Sequence, residues 1–287
     1  MRLTVLGCCG GIGGTRRTTA LLLDDDILID AGSGAGDLTL ERMALLEHIF
    51  LTHAHLDHSG FVPLLADATA YLRQRPLNVH ALPETIAALK KNMLNGELWP
   101  DYSVLPSADN SYIHFVPLEV GATVRLGERR ITPLPARHSI PAVGYCLDSG
   151  AASFVYSGDT TDCGEFWAEL NRIENLRYLM IETTFLNAAG PAAAKSGHLT
   201  AELLARGLAR LQHPVQLLIT HMEPGKEERT MAEVTAACGA FQPQQLQQGQ
   251  QFIFWATGRT SWKKSCCWFH CFIWQSRRRR PQCRAGK

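Results

Sequence analysis

Short apolar runs punctuated by turn residues dominate the first third of the chain. Leu3–Leu6 is one such run, and Thr18–Leu23 and Ile27–Asp30 flank an acidic turn, Asp24-Asp25-Asp26, so that the two read as a hairpin. Gly32–Gly36 reads as a loop and Leu38–Leu46 as a helix. His48-Ile49-Phe50-Leu51 has the compact apolar character of a buried strand. Phe61–Arg73 carries helical spacing, with Pro63 tolerated in the first turn. Leu77–Ala81 reads as a strand and Glu84–Leu98 as a helix that stops before Trp99-Pro100. Tyr112–Leu118, Thr123–Leu126 and Ile131–Leu134 read as further strands.

The second half alternates more regularly. Strand-like runs Val143–Leu147, Ser153–Tyr156, Tyr178–Ile181 and Gln216–Ile219 are interspersed with helix-like runs Glu165–Arg172, Thr200–Leu211 and Glu227–Phe241, and Gln251–Trp255 reads as a last strand. Strands alternating with helices predict an α/β architecture in which helices cover the sheets. Each half opens with strands and then alternates, which suggests that the two are related.

Composition changes this picture mainly at the C-terminus. The 287 residues are 46% hydrophobic and 19% charged, a globular profile with enough length for one large core or two small ones. The formal net charge of +1 hides an asymmetry: from Ala256 to Lys287 there are nine Lys and Arg and no acid, so the first 255 residues hold 19 basic and 27 acidic residues, a net of −8. A body so charged argues against a non-specific nucleic-acid binder, and no nucleic-acid partner is expected. The segment 256–287 sets Trp262, Trp268 and Trp274 among Cys266-Cys267, Cys271 and Arg277–Arg280. It has neither helical nor strand period, and is read as a disordered or non-native extension in preference to a membrane or nucleic-acid anchor. No stretch approaches the roughly 18 apolar residues of a membrane span, and Met1–Gly7 is too short for a signal peptide, so a cytoplasmic protein without membrane partner is expected. The nine cysteines are then read as reduced thiols, adjacent Cys8-Cys9 included.

The chemistry concentrates in His53-Ala54-His55-Leu56-Asp57-His58, three imidazoles and a carboxylate directly after a strand. Imidazole and carboxylate suit zinc, iron or manganese, and packing gives no reason to bring so many to one turn. Other polar residues follow strand-like runs in the same way: Asp159 after Phe154-Val155-Tyr156, Glu182 after Leu179-Met180-Ile181, His221 after Leu217-Leu218-Ile219, and His138 after Ile131–Ala136. In open α/β sheets, sites form beyond the carboxyl ends of the strands. The ligand arithmetic suggests two divalent ions, His53, His55 and His138 holding one, Asp57, His58 and His221 the other, with Asp159 bridging. Zinc is the leading candidate, with manganese or iron as alternatives, and each ion has room for substrate.

These motifs, Thr52-His53-Ala54-His55-Leu56-Asp57-His58-Ser59-Gly60, His138, Ser157-Gly158-Asp159-Thr160 and Thr220-His221, resemble those of the metallo-β-lactamase superfamily of dinuclear hydrolases. Within it, Leu56, Gly144-Tyr145, Ile181-Glu182-Thr183-Thr184-Phe185 and Ser196-Gly197-His198-Leu199-Thr200 are similar to the phosphodiesterase branch shared by ribonuclease Z and class II cyclic-nucleotide phosphodiesterases, and Asn95–Asp101 is similar to the latter group. The resemblance covers residues 1–255 and implies a four-layer αββα sandwich with the site at one end. It implies that His198 is a general acid or phosphate contact and that Glu182 holds its other ring nitrogen; Asp57 is counted with these two as catalytic as well as a ligand. The expected reaction is metal-dependent phosphodiester hydrolysis through a metal-bridging hydroxide. A 3′,5′-cyclic nucleotide leads as substrate, and phosphotriesters, esters or lactones are the alternative. tRNA 3′ processing and a non-catalytic binding role rank lower.

Outside these residues, Gly7–Gly14 lacks the Gly-Lys-Ser/Thr end of a phosphate loop and reads as a flexible turn near the site, with Arg16 and Arg17 as solvated charges. Trp99, Tyr102 and Phe185 are candidates for stacking on a purine, and Glu84–Ser111 is a candidate lid or contact segment of a homodimer.

Overall fold

The structure, a computed structural model, describes residues 1–255. The readings of the 256–287 tail lie outside the described residues.

The strands β1 (Arg2–Gly7), β2 (Ala20–Leu23), β3 (Ile27–Ile29), β4 (His48–Phe50) and β5 (Leu77–Ala81) form one sheet, with the helices α1 (Leu40–Leu45), α2 (Leu56–Ser59), α3 (Val62–Thr69) and α4 (Pro83–Asn92) between them. A small hairpin, β6 (Pro106–Ser107) and β7 (Asn110–Ser111), precedes the edge strand β8 (Ile113–Pro117). The second sheet takes β9 (Val124–Leu126), β10 (Arg129–Pro135), β11 (Val143–Asp148), β12 (Ser153–Tyr156), β13 (Leu176–Glu182), β14 (Gln216–Thr220) and β15 (Gln244–Gln245), with α5 (Gly164–Leu170), α6 (Gly190–Ser196), α7 (Ala201–Leu208) and α8 (Glu227–Cys238). The last strand, β16 (Gln251–Ile253), returns to pair with β1.

The two sheets share a plan. The first runs β16-β1-β2-β3-β4-β5-β8 and the second β15-β14-β13-β12-β11-β10-β9. In each, an antiparallel meander passes into parallel strands, at β3–β4 in one and β12–β13 in the other. The short acidic turn joining β2 to β3 makes the first meander local, whereas the parallel strands need helical crossovers.

Three apolar cores separate four layers. Leu21, Leu23, Ile29 and Phe50 of the first sheet face Val143, Tyr145, Phe154, Tyr156 and Met180 of the second. The alternate residues Leu22, Leu28, Ile49 and Val79 pack outward against Val62, Leu65 and Leu89 of α3 and α4. On the far side, Val155, Leu179, Ile181 and Ile219 pack against Phe166, Trp167, Leu204, Leu208 and Val234. Strands covered on both faces need apolar residues at every position, which is why these segments read as continuous runs instead of alternating ones. Each fully buried large side chain is worth about 1.5–3 kcal/mol.

Several boundaries differ from expectation. Helix α4 ends at Asn92, not Leu98, because the Asn95 side chain accepts from the backbone N–H of Glu97 and Leu98 at 3.0 and 2.8 Å and Gly96 takes a left-handed φ of +80°. Helix α6 was not expected; its run of small residues carries no apolar period. Among the described residues no helix is long and apolar enough to cross a membrane.

Candidate metal centre

The strands deliver their polar residues to one end of the sandwich. Beyond β4 the chain leaves the sheet through Leu51-Thr52 to His53, and the single turn α2 carries Asp57 and His58. Beyond β12, Ser157-Gly158 turns the chain so that Asp159 points back to the same place. Gly158 has φ +61°, and a Cβ there would lie 2.5 Å from the Val143 carbonyl, so only glycine fits this turn. Glu182 is the last residue of β13, His221 follows β14 and His138 follows β10.

The expected ligands converge into two groups. His53 Nε2 stands 3.0 Å from His55 Nδ1, which stands 3.2 Å from His138 Nε2. His58 Nε2 and His221 Nε2 are 3.1 Å apart, and Asp57 Oδ2 lies 3.2 Å from the latter and 3.6 Å from the former. Asp159 Oδ2 lies between the groups, 3.7 Å from His53 Nε2, 3.3 Å from His58 Nε2 and 3.4 Å from His221 Nε2. All but His55, Asp57 and His138 are buried.

This donor set fits divalent cations. Ring nitrogens facing one another at 3.0–3.2 Å cannot all be satisfied by each other's protons. Ligands held about 2.0–2.1 Å from one tetrahedral ion would stand roughly 3.3 Å apart. Asp159 Oδ1 is buried with no hydrogen-bond partner among the described residues, a cost that a cation would remove. Burial pushes the His53, His55 and His138 imidazoles below their usual range, leaving nitrogen lone pairs for a metal. His58 goes the other way: burial opposes its charge, but Asp159 and Asp30 together hold it protonated, so a cation would take the place of that proton. Asp159 is held ionised against burial by His221 and His58.

Above the ligands stands His198, whose Nδ1 donates to Glu182 Oε1 at 2.8 Å. Burial works to lower its pKa, and the charge and hydrogen bond of Glu182 prevail, leaving it pushed up to about 8. Glu182 is fully buried and accepts from the backbone N–H of Thr160, Thr184 and Leu199, from the Thr184 hydroxyl and from His198. His138, Asp159 and His198 also lie within reach of one another, so the His198 ring borders the first ligand group.

Some residues at the site were not expected. Asp30 is fully buried and accepts from His58 Nδ1 at 2.7 Å and from Thr52. It too follows a strand, β3, the signal that marks His53 and Asp159, but in the sequence it merges with the hairpin Thr18–Asp30. Thr52, Thr184 and the Gly197 carbonyl, which accepts from His138 Nδ1 at 3.0 Å, orient other rings. Their backbone and hydroxyl chemistry leaves no mark in the sequence.

The remaining candidates divide. The Gly7–Gly14 turn does border the site: a Cβ on Gly10 would lie 2.8 Å from the His221 carbonyl. Arg16 and Arg17 are ion-paired with Glu227 and Asp37. Tyr102 is buried, donating its hydroxyl to Asp67, and so is not free to stack on a ligand, whereas Trp99 is half-buried and packs against the same helix-side core. Phe185 lies 5.6 Å from the His198 ring, centroid to centroid. The five body cysteines are free thiols.

Two mixed sheets in four layers, with histidines and aspartates gathered at one end, are the fold and site of a metal-dependent hydrolase of the metallo-β-lactamase type. Residues 26–222 match the family described as Beta-lactamase superfamily domain, and the chain belongs to that family. It is 24% identical over 301 aligned positions to ribonuclease Z of Methanothermobacter thermautotrophicus, spanning 84% of this chain and 92% of that one. Unliganded yeast PDE1 superposes with a TM-score of 0.72 at 16% identity, over 87% of this chain and 98% of PDE1. The short form of human tRNase Z superposes at 0.62 and 15% identity, over 88% and 99%. The expectation of no nucleic-acid partner is corrected by these findings, since a relative matched along most of its length is named a ribonuclease. A net charge of −8 averages over the whole surface, whereas phosphate contacts are made locally. None of the findings shows the expected homodimer.

Proposed function

We propose that this protein is a dinuclear metal-dependent phosphodiester hydrolase, with zinc as its resident cation and a 3′,5′-cyclic nucleotide, opened to the 5′-monophosphate, as its leading substrate. The observation that carries this reading is the Glu182–His198 pair at 2.8 Å beside the two ligand groups. Five imidazoles and two carboxylates favour zinc over harder ions. His53, His55 and His138 would hold one ion, Asp57, His58 and His221 the other, and Asp159 would serve both.

When bound, two such cations supply an activated water and neutralise the oxygens of a phosphoryl group. The chain's own residues supply the remainder. Glu182 accepts the hydrogen bond of His198 Nδ1–H, which leaves Nε2 for the site and favours the imidazolium. An Nε2 proton held there can pass to the departing ribose oxygen, and a positioned acid of this kind contributes about 10²–10⁴-fold. Phe185, beside His198, offers apolar surface for a base. A second reading, cleavage of an RNA strand, is favoured by the match to 92% of an archaeal ribonuclease Z. Its leaving oxygen makes the same demand on His198.

Zinc-loaded protein assayed against cyclic AMP, cyclic GMP, bis(p-nitrophenyl) phosphate and a tRNA precursor tests the proposal. Highest kcat/KM on a cyclic nucleotide supports it. Cleavage of the precursor with cyclic nucleotides untouched moves the assignment to the second reading. Protein that holds two zinc ions per chain and turns over none of them overturns both.

A further inference from the structure

Two threonines stand in matching relations to the site. Thr52 lies just beyond β4 and Thr184 just beyond β13, and both are buried. The Thr52 hydroxyl is 2.9 Å from Asp30 Oδ2 and 3.0 Å from His53 Nδ1, and its backbone N–H donates to Asp30 Oδ1 at 2.8 Å. The Thr184 hydroxyl is 2.9 Å from Glu182 Oε2 and 3.0 Å from His221 Nδ1, and its backbone N–H donates to Glu182 Oε2 at 3.0 Å. Each carboxylate also takes a second histidine directly: His58 Nδ1 on Asp30 and His198 Nδ1 on Glu182.

Proton accounting fixes the direction of these bonds. A hydroxyl has one proton and two lone pairs. Asp30 accepts from Thr52, His58 and the Tyr156 hydroxyl, and Glu182 from five donors, so both carboxylates are crowded with protons from their partners. Each threonine proton must therefore go to its carboxylate, because the opposite arrangement would set oxygen lone pairs against each other. What remains on the hydroxyl oxygen is acceptor capacity. Among the described residues, His53 Nδ1 and His221 Nδ1 have no other side-chain partner than these hydroxyls, so each must carry its proton on Nδ1 and leave Nε2 bare. Nε2 is the atom that each presents to the ligand groups.

We propose that Thr52 and Thr184 are positioning residues that relay the charge of Asp30 and Glu182 to His53 and His221, fixing the tautomer and ring orientation of one histidine in each ligand group. Each buried carboxylate thereby governs two imidazoles, one directly and one through a hydroxyl. Glu182 in particular ties the leaving-group acid His198 to the ligand His221, so these two parts of the site are set by one residue.

The test compares T52V and T184V, which keep the shape and delete the hydroxyl, with T52S and T184S, which keep the hydroxyl. T230V is a control at a buried threonine in α8 whose hydroxyl has no partner. Zinc affinity is read by chelator competition, and ring protonation by long-range proton–nitrogen NMR of zinc-loaded protein labelled at histidine. Wild-type protein should show Nδ1 protons on His53 and His221. The valine variants should lose about 10–100-fold in zinc affinity and the slowly exchanging Nδ1 proton of the affected ring, while the serine variants stay within about threefold. T230V should match wild type. Ligation of His53 or His221 through Nδ1 in the wild-type spectrum overturns the proposal even where a valine variant fails to fold. So do valine variants that bind zinc as tightly as wild type, or serine variants that lose as much as valine. The catalytic meaning of the relay rests on the proposed hydrolase reading, but neither readout needs a substrate, so inactivity toward phosphodiesters with an intact relay sinks that reading alone.

Discussion

Replacing Glu182 by Gln isolates what its charge does for His198. The ordinary imidazole pKa near 6.5 is raised to about 8 in this site, with burial opposing and Glu182 dominating. That difference of roughly 1.5 units corresponds to about 2 kcal/mol in favour of the protonated ring. In E182Q the charge is gone and burial remains, so the pKa falls to the ordinary value or lower. A general acid works only while protonated, so kcat/KM should fall along an alkaline limb, and that limb should move about 1.5 units toward acid in the variant. In metal-free protein at pH 8 the protonated fraction drops from about one half to about one thirtieth, whereas at pH 6 most of it survives. Bound cations lower both limbs together and leave their separation. The stability sign is the same: a raised histidine pKa stabilises the fold fully below 6.5, and the contribution disappears as pH rises through about 8. The stability gap between wild type and E182Q, measured on metal-free protein, should therefore be larger at pH 6 than at pH 9. A pH-independent loss of about 1–3 kcal/mol adds to it, because the new amide faces donors that the carboxylate had satisfied. The assay is kcat/KM on a cyclic nucleotide from pH 5.5 to 9.5, with urea unfolding alongside. Coincident alkaline limbs in the two proteins, or equal fractional losses at both ends of the range, refute the reasoning.

H198A should lose about 10²–10⁴-fold on a substrate with an alkoxide leaving group and far less on bis(p-nitrophenyl) phosphate, whose leaving group departs without a proton; equal losses on both would remove His198 from that role. D159A should take zinc content after gel filtration from two ions per chain to below one, because its carboxylate stands between both ligand groups; two ions retained would refute this. G207A should lower the melting temperature, since a Cβ would lie 2.1 Å from the buried Trp167 ring. Overpacking costs about 1–3 kcal/mol against roughly 1 gained from helix propensity, and an unchanged or raised melting point would contradict it. Zinc at 100 times its dissociation constant should stabilise the protein by about 2.7 kcal/mol, read as a rise in urea midpoint; no shift would mean that the folded state offers no preformed site.

What the sequence disclosed follows from the range of the forces involved. The HAHLDH stretch is a local pattern, and polar residues at strand ends mark one edge of a sheet, so the chain brings its expected ligands together where the pattern pointed. Thr52 and Thr184 are different, because threonine is an ordinary strand residue and only the neighbouring carboxylate gives its hydroxyl a task. Asp30 follows the acidic turn Asp24-Asp25-Asp26 by only four residues, so its charge is not distinguishable from that of the turn in the sequence. Tyr102 could not be separated from ligand-stacking aromatics, since its burial depends on Asp67, 35 residues earlier, and on Tyr112, both reached only through the fold. Net charge misled about nucleic acid for a related reason: it sums over the surface what a binding site distributes locally.

The candidate ligands also explain why the two sheets must meet in one register. His53, His55, Asp57 and His58 come from the first sheet, and His138, Asp159 and His221 from the second, so neither ligand group exists in half the molecule. Directly beneath them the sheets are tied by polar bonds as well as by the apolar core. Val143 N–H donates to the Thr52 carbonyl at 3.0 Å, Tyr145 hydroxyl to the Leu51 carbonyl at 2.6 Å, and His221 N–H to the Cys8 carbonyl at 2.9 Å. Buried backbone groups left unpaired cost as much as a lost hydrogen bond, so these ties hold the two sheets together beside the site. A cation shared across that seam would bind only the closed sandwich. Its affinity is then part of the folding free energy, and a substitution that loosens the seam weakens metal binding without touching a ligand.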